Sequence, residues 1–152
     1  MKRIISFFLV VSLALLLLSG CKSDNEIAQS LDLNSGDVIE VTVTMKDSGK
    51  IKSMALSVNY NQDDFELLDG QWLNHQAILS DFNLDTKDAA IAFEDGIKYF
   101  GEIFSFRLQA KHDFTASTDE ISVIPVLKNE ERDISCSGIG LAMEKVLDGM
   151  AL

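Results

Sequence analysis

The sequence predicts an all-β protein, an antiparallel sandwich of about eight or nine strands. Three observations carry that expectation. Apolar and polar residues alternate with a period of two in several separate stretches. Clusters of Gly, Asn, Asp and Ser interrupt the chain every eight to twelve residues or so, the spacing of turns in a sandwich. And no long segment repeats its apolar residues at helical spacing.

The chain opens on an address. Lys2 and Arg3 precede an apolar run from Ile4 to Leu18, interrupted only by Ser6 and Ser12, the charged and apolar parts of an export signal. The run is short of the roughly 20 apolar residues that a membrane-spanning helix needs. It ends in Leu18-Ser19-Gly20-Cys21, which resembles the lipobox of bacterial lipoproteins. That resemblance implies cleavage before Cys21 and lipidation of Cys21, and two or more acyl chains on one residue hold a protein stably to a membrane. The alternative is an ordinary secreted protein whose signal happens to end near a cysteine.

Cleavage would remove Lys2 and Arg3 and take the formal charge from −11 to −13. So acidic a chain disfavours nucleic acid and anionic headgroups as partners and favours solubility, with basic patches on any partner. The only cysteines are Cys21 and Cys136. With the Cys21 sulfur lipidated no internal disulfide can form, so a single core of roughly 110 residues must hold the domain. Cys136 then reads as a small buried apolar residue. The expected organisation is a signal peptide over 1–20, a lipidated cysteine and polar tether over 21–30, a β-domain over 31–141 and a tail over 142–152.

Within the domain, Ile39, Val41, Val43 and Met45 alternate with Glu40, Thr42 and Thr44, which predicts a half-buried strand. After a turn at Asp47-Ser48-Gly49, Met54, Leu56, Val58 and Tyr60 share one face, and Ser53, Ala55, Ser57 and Asn59 share the other, small and flat. Asn61-Gln62-Asp63-Asp64 is a turn of residues that bond their own backbone, and Phe65 and Leu67 return to the core. A strand is expected within Ala77–Leu84, a short one over Ala89–Phe93 closing on Glu94-Asp95-Gly96, and a long one over Phe100–Lys111 with Phe104, Phe106, Leu108 and Ala110 inward. Ile121–Leu127 follows, where Pro125, the only proline, marks an edge strand or a bulge. Asn129–Arg132 is a charged turn, and Ile134–Leu141 is the last expected strand. Beyond it Met143, Val146, Leu147 and Met150 fall at helical spacing, so the tail reads either as a short amphipathic helix or as a frayed end.

The Gly36-Asp37 strand, the strand ending Tyr60-Asn61-Gln62 and the Phe65-Glu66-Leu67-Leu68 run together resemble the opening third of a cohesin domain. Asn61-Gln62 stands where cohesins usually have Asp-Pro. Glu94-Asp95-Gly96, Gly101-Glu102-Ile103-Phe104 and Ser137-Gly138-Ile139 are similar to later cohesin segments. The resemblance implies a jelly-roll topology and a protein partner, a dockerin-type module on polysaccharide-degrading enzymes or scaffolds, lying across one sheet face. It places Ser53, Ala55, Ser57 and Asn59, with Ile91, Phe93 and Glu94, on strands of that sheet as candidate partner-binding residues. The small residues would let a partner helix approach closely, and Glu94 would supply an acceptor. Where many cohesins carry Asn and Asp, this chain has Ser53 and Ala55. The resemblance implies calcium on the dockerin partner and no cofactor here beyond the lipid on Cys21.

Catalytic and metal signatures are missing from the sequence. His75 and His112 stand far apart with no His or Cys at ligand spacing, and no acidic run matches a calcium loop. Asp63-Asp64 and Glu94-Asp95 are weak calcium candidates, for which exposed turn charges are the favoured reading. Ser135-Cys136-Ser137-Gly138 lacks the leading glycine of a nucleophile elbow. A binding module is therefore expected, not an enzyme. The competing reading is a carbohydrate-binding or surface-adhesion sandwich, whose sugar platform would draw on Trp72, Tyr60 and Tyr99. Trp72 itself has two readings, a rim platform or a plug at the end of the core.

Overall fold

The computed structural model describes residues 28–46, 50–73, 76–98, 100–128, 133–134 and 138–147. The leader with Cys21, the turn at 47–49, His75, Tyr99, the charged turn at 129–132 and Cys136 lie outside the described residues.

Among the described residues eleven strands run in chain order: β1 Ser30–Leu33, β2 Val38–Met45, β3 Lys50–Asn59, β4 Phe65–Trp72, β5 Leu79–Asn83, β6 Asp88–Lys98, β7 Gly101–Ala110, β8 Phe114–Ser117, β9 Ser122–Lys128, β10 Asp133–Ile134 and β11 Ile139–Val146. They form two layers. One sheet has the order β10-β9-β3-β6-β5 and the other β11-β2-β7-β4, with every neighbouring pair antiparallel. A two-stranded β1-β8 ribbon lies beside them. The chain passes repeatedly from one sheet to the other, as a jelly-roll sandwich requires, and the surplus over eight or nine strands comes from the short β1, β8 and β10.

The alternation read in the sequence is what separates the layers from solvent. Ile39, Val41, Val43 and Met45 of β2 are buried, and Met54, Leu56 and Val58 of β3, Ile91 and Phe93 of β6, and Phe104, Phe106 and Leu108 of β7 meet them in one continuous core. Each such side chain contributes about 1.5–3 kcal/mol by leaving water. Phe104 sits among aromatics, with ring centroids 5.1 Å from Trp72, 5.5 Å from Phe82 and 6.2 Å from Phe106. Gly70 of β4 makes room for them, since a Cβ there would lie 2.7 Å from Phe104 Cζ and 2.9 Å from Phe82 Cε1.

Three boundaries differ from the expected ones. The tail expected from residue 142 is instead the second half of β11, which pairs with β2 from Ile139–Met45 to Val146–Val38 and buries Met143. Helical spacing at Met143, Val146 and Leu147 loses to pairing because the open margin of β2 offers backbone partners that a lone turn of helix lacks. The polar tether ends before residue 30: β1 begins at Ser30, and the Gln29 amide accepts from the Met143 N–H at 2.9 Å and donates to the Met143 carbonyl. The last expected strand, 134–141, is two elements, β10 and β11, in different sheets.

Pro125 stands opposite Leu56 of β3 in a stretch of β9 where β10 does not reach, because β10 pairs only with Leu127 and Lys128. The described β10 pairing therefore does not involve the missing N–H.

Candidate functional site

The sheet built on β3 and β6 presents a face whose make-up follows from register. Residues directly opposite each other in an antiparallel pair point to the same side. Since Met54, Leu56 and Val58 point inward, Ser53, Ala55 and Ser57 point outward, and so do their partners on both flanks. Ala55 has Ala90 of β6 on one side and Val126 of β9 on the other, and Asp81 of β5 lies beyond Ala90. Ser53 faces Ala92, and Leu79 lies beyond it; Ser57 faces Asp88 and Ile124. The middle of the face is thus paved with Ser and Ala. Its margins carry apolar side chains standing in solvent: Leu79 is 62% exposed, Ile124 56% and Val126 44%.

Of the residues proposed from sequence, Ser53, Ala55, Ser57 and Asn59 share this face, with Asn59 opposite Ser122 at its end. Glu94 is exposed on β6 just past Ala92. Ile91 and Phe93 are not surface residues. They are 1% and 4% exposed and belong to the core, because the period of two turns them inward, so Ala90 and Ala92 take their place outside. These two alanines, with Leu79, Ile124 and Val126, were not singled out from sequence. The signal for them is cross-strand register, which a single strand read alone does not carry.

Polar groups on the face are held in place. The Ser57 hydroxyl donates to Asp88 Oδ1 at 2.7 Å, and this bond, with a second from Thr86, keeps the Asp88 carboxyl below its ordinary value of 3.8. Asn83 Oδ1 accepts from the N–H groups of Asp85 and Thr86 at 2.9 and 3.1 Å and closes the β5–β6 turn, in which Lys87 adopts φ 62°. That turn is tied to β3 by the Val58 N–H donating to the Lys87 carbonyl at 3.0 Å.

Of the three platform candidates, the two described ones, Trp72 and Tyr60, both pack against the core. Trp72 is 9% exposed, packs against Phe104 and donates its indole N–H to the Asp81 carbonyl at 3.1 Å, so it plugs the core. Tyr60 is partly buried against the core, and desolvation raises its phenol above the usual 10.0. Among the described residues, no three of His, Cys, Asp and Glu converge as a metal site would require. His112 Nε2 meets Asp64 Oδ1 at 2.8 Å, an exposed pair outside this face.

No family model matches the chain, and no curated protein matches it. Among solved structures it is similar to the cohesin module of a family 33 glycoside hydrolase from Clostridium perfringens, at TM-score 0.49 and 12% identity over 80% of this chain and 97% of that one. It is also similar to a chain of a type I cohesin–dockerin complex from Clostridium thermocellum, at TM-score 0.48 and 13% identity over 84% of this chain and 99% of that one.

Proposed function

We propose that this chain is a membrane-tethered, extracytoplasmic binding module that receives a helical protein partner of dockerin type on the outer face of the β9-β3-β6-β5 sheet. The observation that carries the reading is the paving of that face. Ser53, Ala55, Ser57, Ala90 and Ala92 form a low floor between the exposed Leu79 on one side and Ile124 and Val126 on the other. From β9 to β5 is three strand spacings, about 14 Å, and a helix with its side chains is about 10–12 Å across. A helix laid there would touch backbone-near atoms along the floor and bury the flanking apolar side chains, the apolar centre and polar rim of a protein interface. Glu94 and Asp88 at the rim suit basic residues on the partner.

With Ser53 and Ala55 in place of longer polar residues, recognition rests on shape and apolar contact. Calcium, where required, belongs to the partner. The lipobox-like Leu18–Cys21 segment supports tethering through lipid on Cys21, and the cohesin resemblance of the sequence supports a polysaccharide-degrading setting.

The binding test is calorimetry of the chain against a panel of calcium-loaded dockerins, with an Ala55→Arg variant beside it. At least one dockerin should bind the wild type, and Ala55→Arg should weaken that binding by about a hundredfold or more, since a buried charge without a partner costs several kcal/mol. Ala55 is exposed, so the melting temperature should hold. Binding by no dockerin, or equal binding by Ala55→Arg, would overturn the reading. The tether is tested separately by radiolabelled fatty acid, which should appear on the exported chain and vanish in Cys21→Ser.

A further inference from the structure

On the opposite side of the sandwich, the outer face of the β11-β2-β7-β4 sheet carries a shallow polar hollow of about 370 Å³ lined by Glu40, Asp69, Gly70, Gln71, Ser105 and Arg107. It exists because β4 breaks step. Phe65 and Leu67 point inward opposite Ala110 and Leu108, and strict alternation would send Asp69 inward too. The register shifts between Leu67 and Asp69, so Asp69 comes to lie opposite Arg107, Gln71 opposite Ser105, and Trp72 turns into the core. On the other flank of β7, Glu40 faces Arg107 and Thr42 faces Ser105.

Three features of this hollow suit a ligand. The bulge interrupts ladder bonds, while the ion pair it creates is about half exposed on both sides, and such pairs contribute only about 0–1 kcal/mol. The Arg107 guanidinium is held flat by Asp69, with Nε donating to Oδ1 at 2.9 Å and Nη2 donating to Oδ2, which leaves Nη1 as the edge for a further acceptor. Ser105 points outward by register yet is 3% exposed, a hydroxyl at the floor of the hollow that accepts from Gln71 Nε2 at 3.4 Å. Bulges recur where a strand must re-aim side chains toward a ligand.

We infer that this hollow is a binding site for a neutral saccharide, held by hydrogen bonds to vicinal hydroxyls and distinct from the protein-binding face. Charge narrows the ligand class: Glu40 and Asp69 against Arg107 leave a net −1, which repels phosphate, sulfate and carboxylate ligands. Donors and acceptors alternate at strand spacing, with the Arg107 Nη1 edge and the Gln71 amide supplying N–H groups and the Glu40 and Asp69 carboxylates accepting. A sugar hydroxyl both donates and accepts, so adjacent hydroxyls match such a mixed row, where a purely cationic or anionic ligand satisfies only half of it. The volume is at the small end of ligand sites, enough for a short saccharide segment. With no exposed aromatic beneath it, the site binds weakly, in the millimolar range or so.

The test is ¹⁵N NMR of the intact chain titrated with neutral gluco-, xylo-, manno- and galacto-oligosaccharides to about 10 mM, well past a millimolar dissociation constant. Glycerol serves as a control for nonspecific polyol effects. Saturable shifts confined to residues 40–42, 69–71 and 105–107 are expected with at least one oligosaccharide and not with glycerol. Gln71→Ala and Arg107→Lys, the latter keeping charge but losing the fork, should each weaken binding about tenfold with the melting temperature little changed. Absence of saturable shifts with every saccharide, shifts located elsewhere, equal shifts with glycerol, or unchanged affinity in both variants would overturn the inference.

Discussion

Replacing Gly70 by alanine should destabilise this protein, against the usual trend for a glycine inside a strand. That trend favours alanine by roughly 0.5–1 kcal/mol, because glycine loses more backbone entropy on folding. Here the new methyl would meet Phe104 Cζ at 2.7 Å and Phe82 Cε1 at 2.9 Å. Phe82 is only partly buried and can swing toward solvent, but Phe104 is fully buried between Trp72 and Phe106 and has nowhere to go. Overpacking of this kind costs about 1–3 kcal/mol. Because Phe104 cannot yield, the upper part of that range, about 2–3 kcal/mol, applies, and set against the entropic gain the net loss is about 1–2.5 kcal/mol, or roughly 4–10 °C in melting temperature for a domain of this size. Urea denaturation followed by Trp72 fluorescence reads it directly, as Trp72 lies against the crowded ring. A Gly70→Ala/Phe104→Leu double variant should lose less than the sum of its parts, because the shorter side chain vacates the contested space. Stability equal to wild type in Gly70→Ala, or strict additivity in the double variant, would refute the reasoning.

Further outcomes are expected elsewhere. Gln29→Ala removes both bonds to the Met143 backbone, and should speed amide exchange at Met143 and along β1 while leaving exchange in β3 and β6 unchanged. The Asp69 carboxyl titrates below 3.8 because it accepts hydrogen bonds from Arg107, so Arg107→Ala should return it toward that value by carboxyl NMR. With the folded value depressed, the pair's stabilising contribution is present above the unfolded value and fades as pH falls through the folded one; for so exposed a pair it amounts to no more than about 1 kcal/mol. Trp72, at 9% exposure, should resist quenching by iodide and acrylamide, and a fully quenched indole would restore the aromatic-platform reading.

Much of the sandwich was legible because its longest strands have one wet and one dry face. Ile39 to Met45, Met54 to Val58 and Phe104 to Ala110 alternate without exception, and burial follows the alternation except at Ser105, which points outward yet is covered. The flat side of β3 could be read for the same reason. Its neighbours could not: Ala90, Val126 and Leu79 acquire their role only when pairing sets them beside Ala55 and Ser53. Ile91 and Phe93 were placed on the partner face by resemblance, and the register that sets Ile91 opposite Met54 turns both inward. The β4 bulge has no local signature, since Leu67-Leu68-Asp69-Gly70 is compatible with a turn as well as with a shifted strand. It is settled by Gly70 fitting under Phe104 and by Trp72 needing the core. In β11 the inward series Ile139, Leu141 and Met143 is cut short by Lys145, which reaches out to pair with Asp37, and a truncated alternation is hard to tell from helical spacing.

A side-chain amide in the position of Gln29 has the donor and acceptor of a peptide group, and it occupies the hydrogen-bonding slots of Met143 on the bare margin of β11. An unoccupied strand margin is a seam along which a second copy could pair. With the seam stitched near its midpoint by one residue, that template is interrupted.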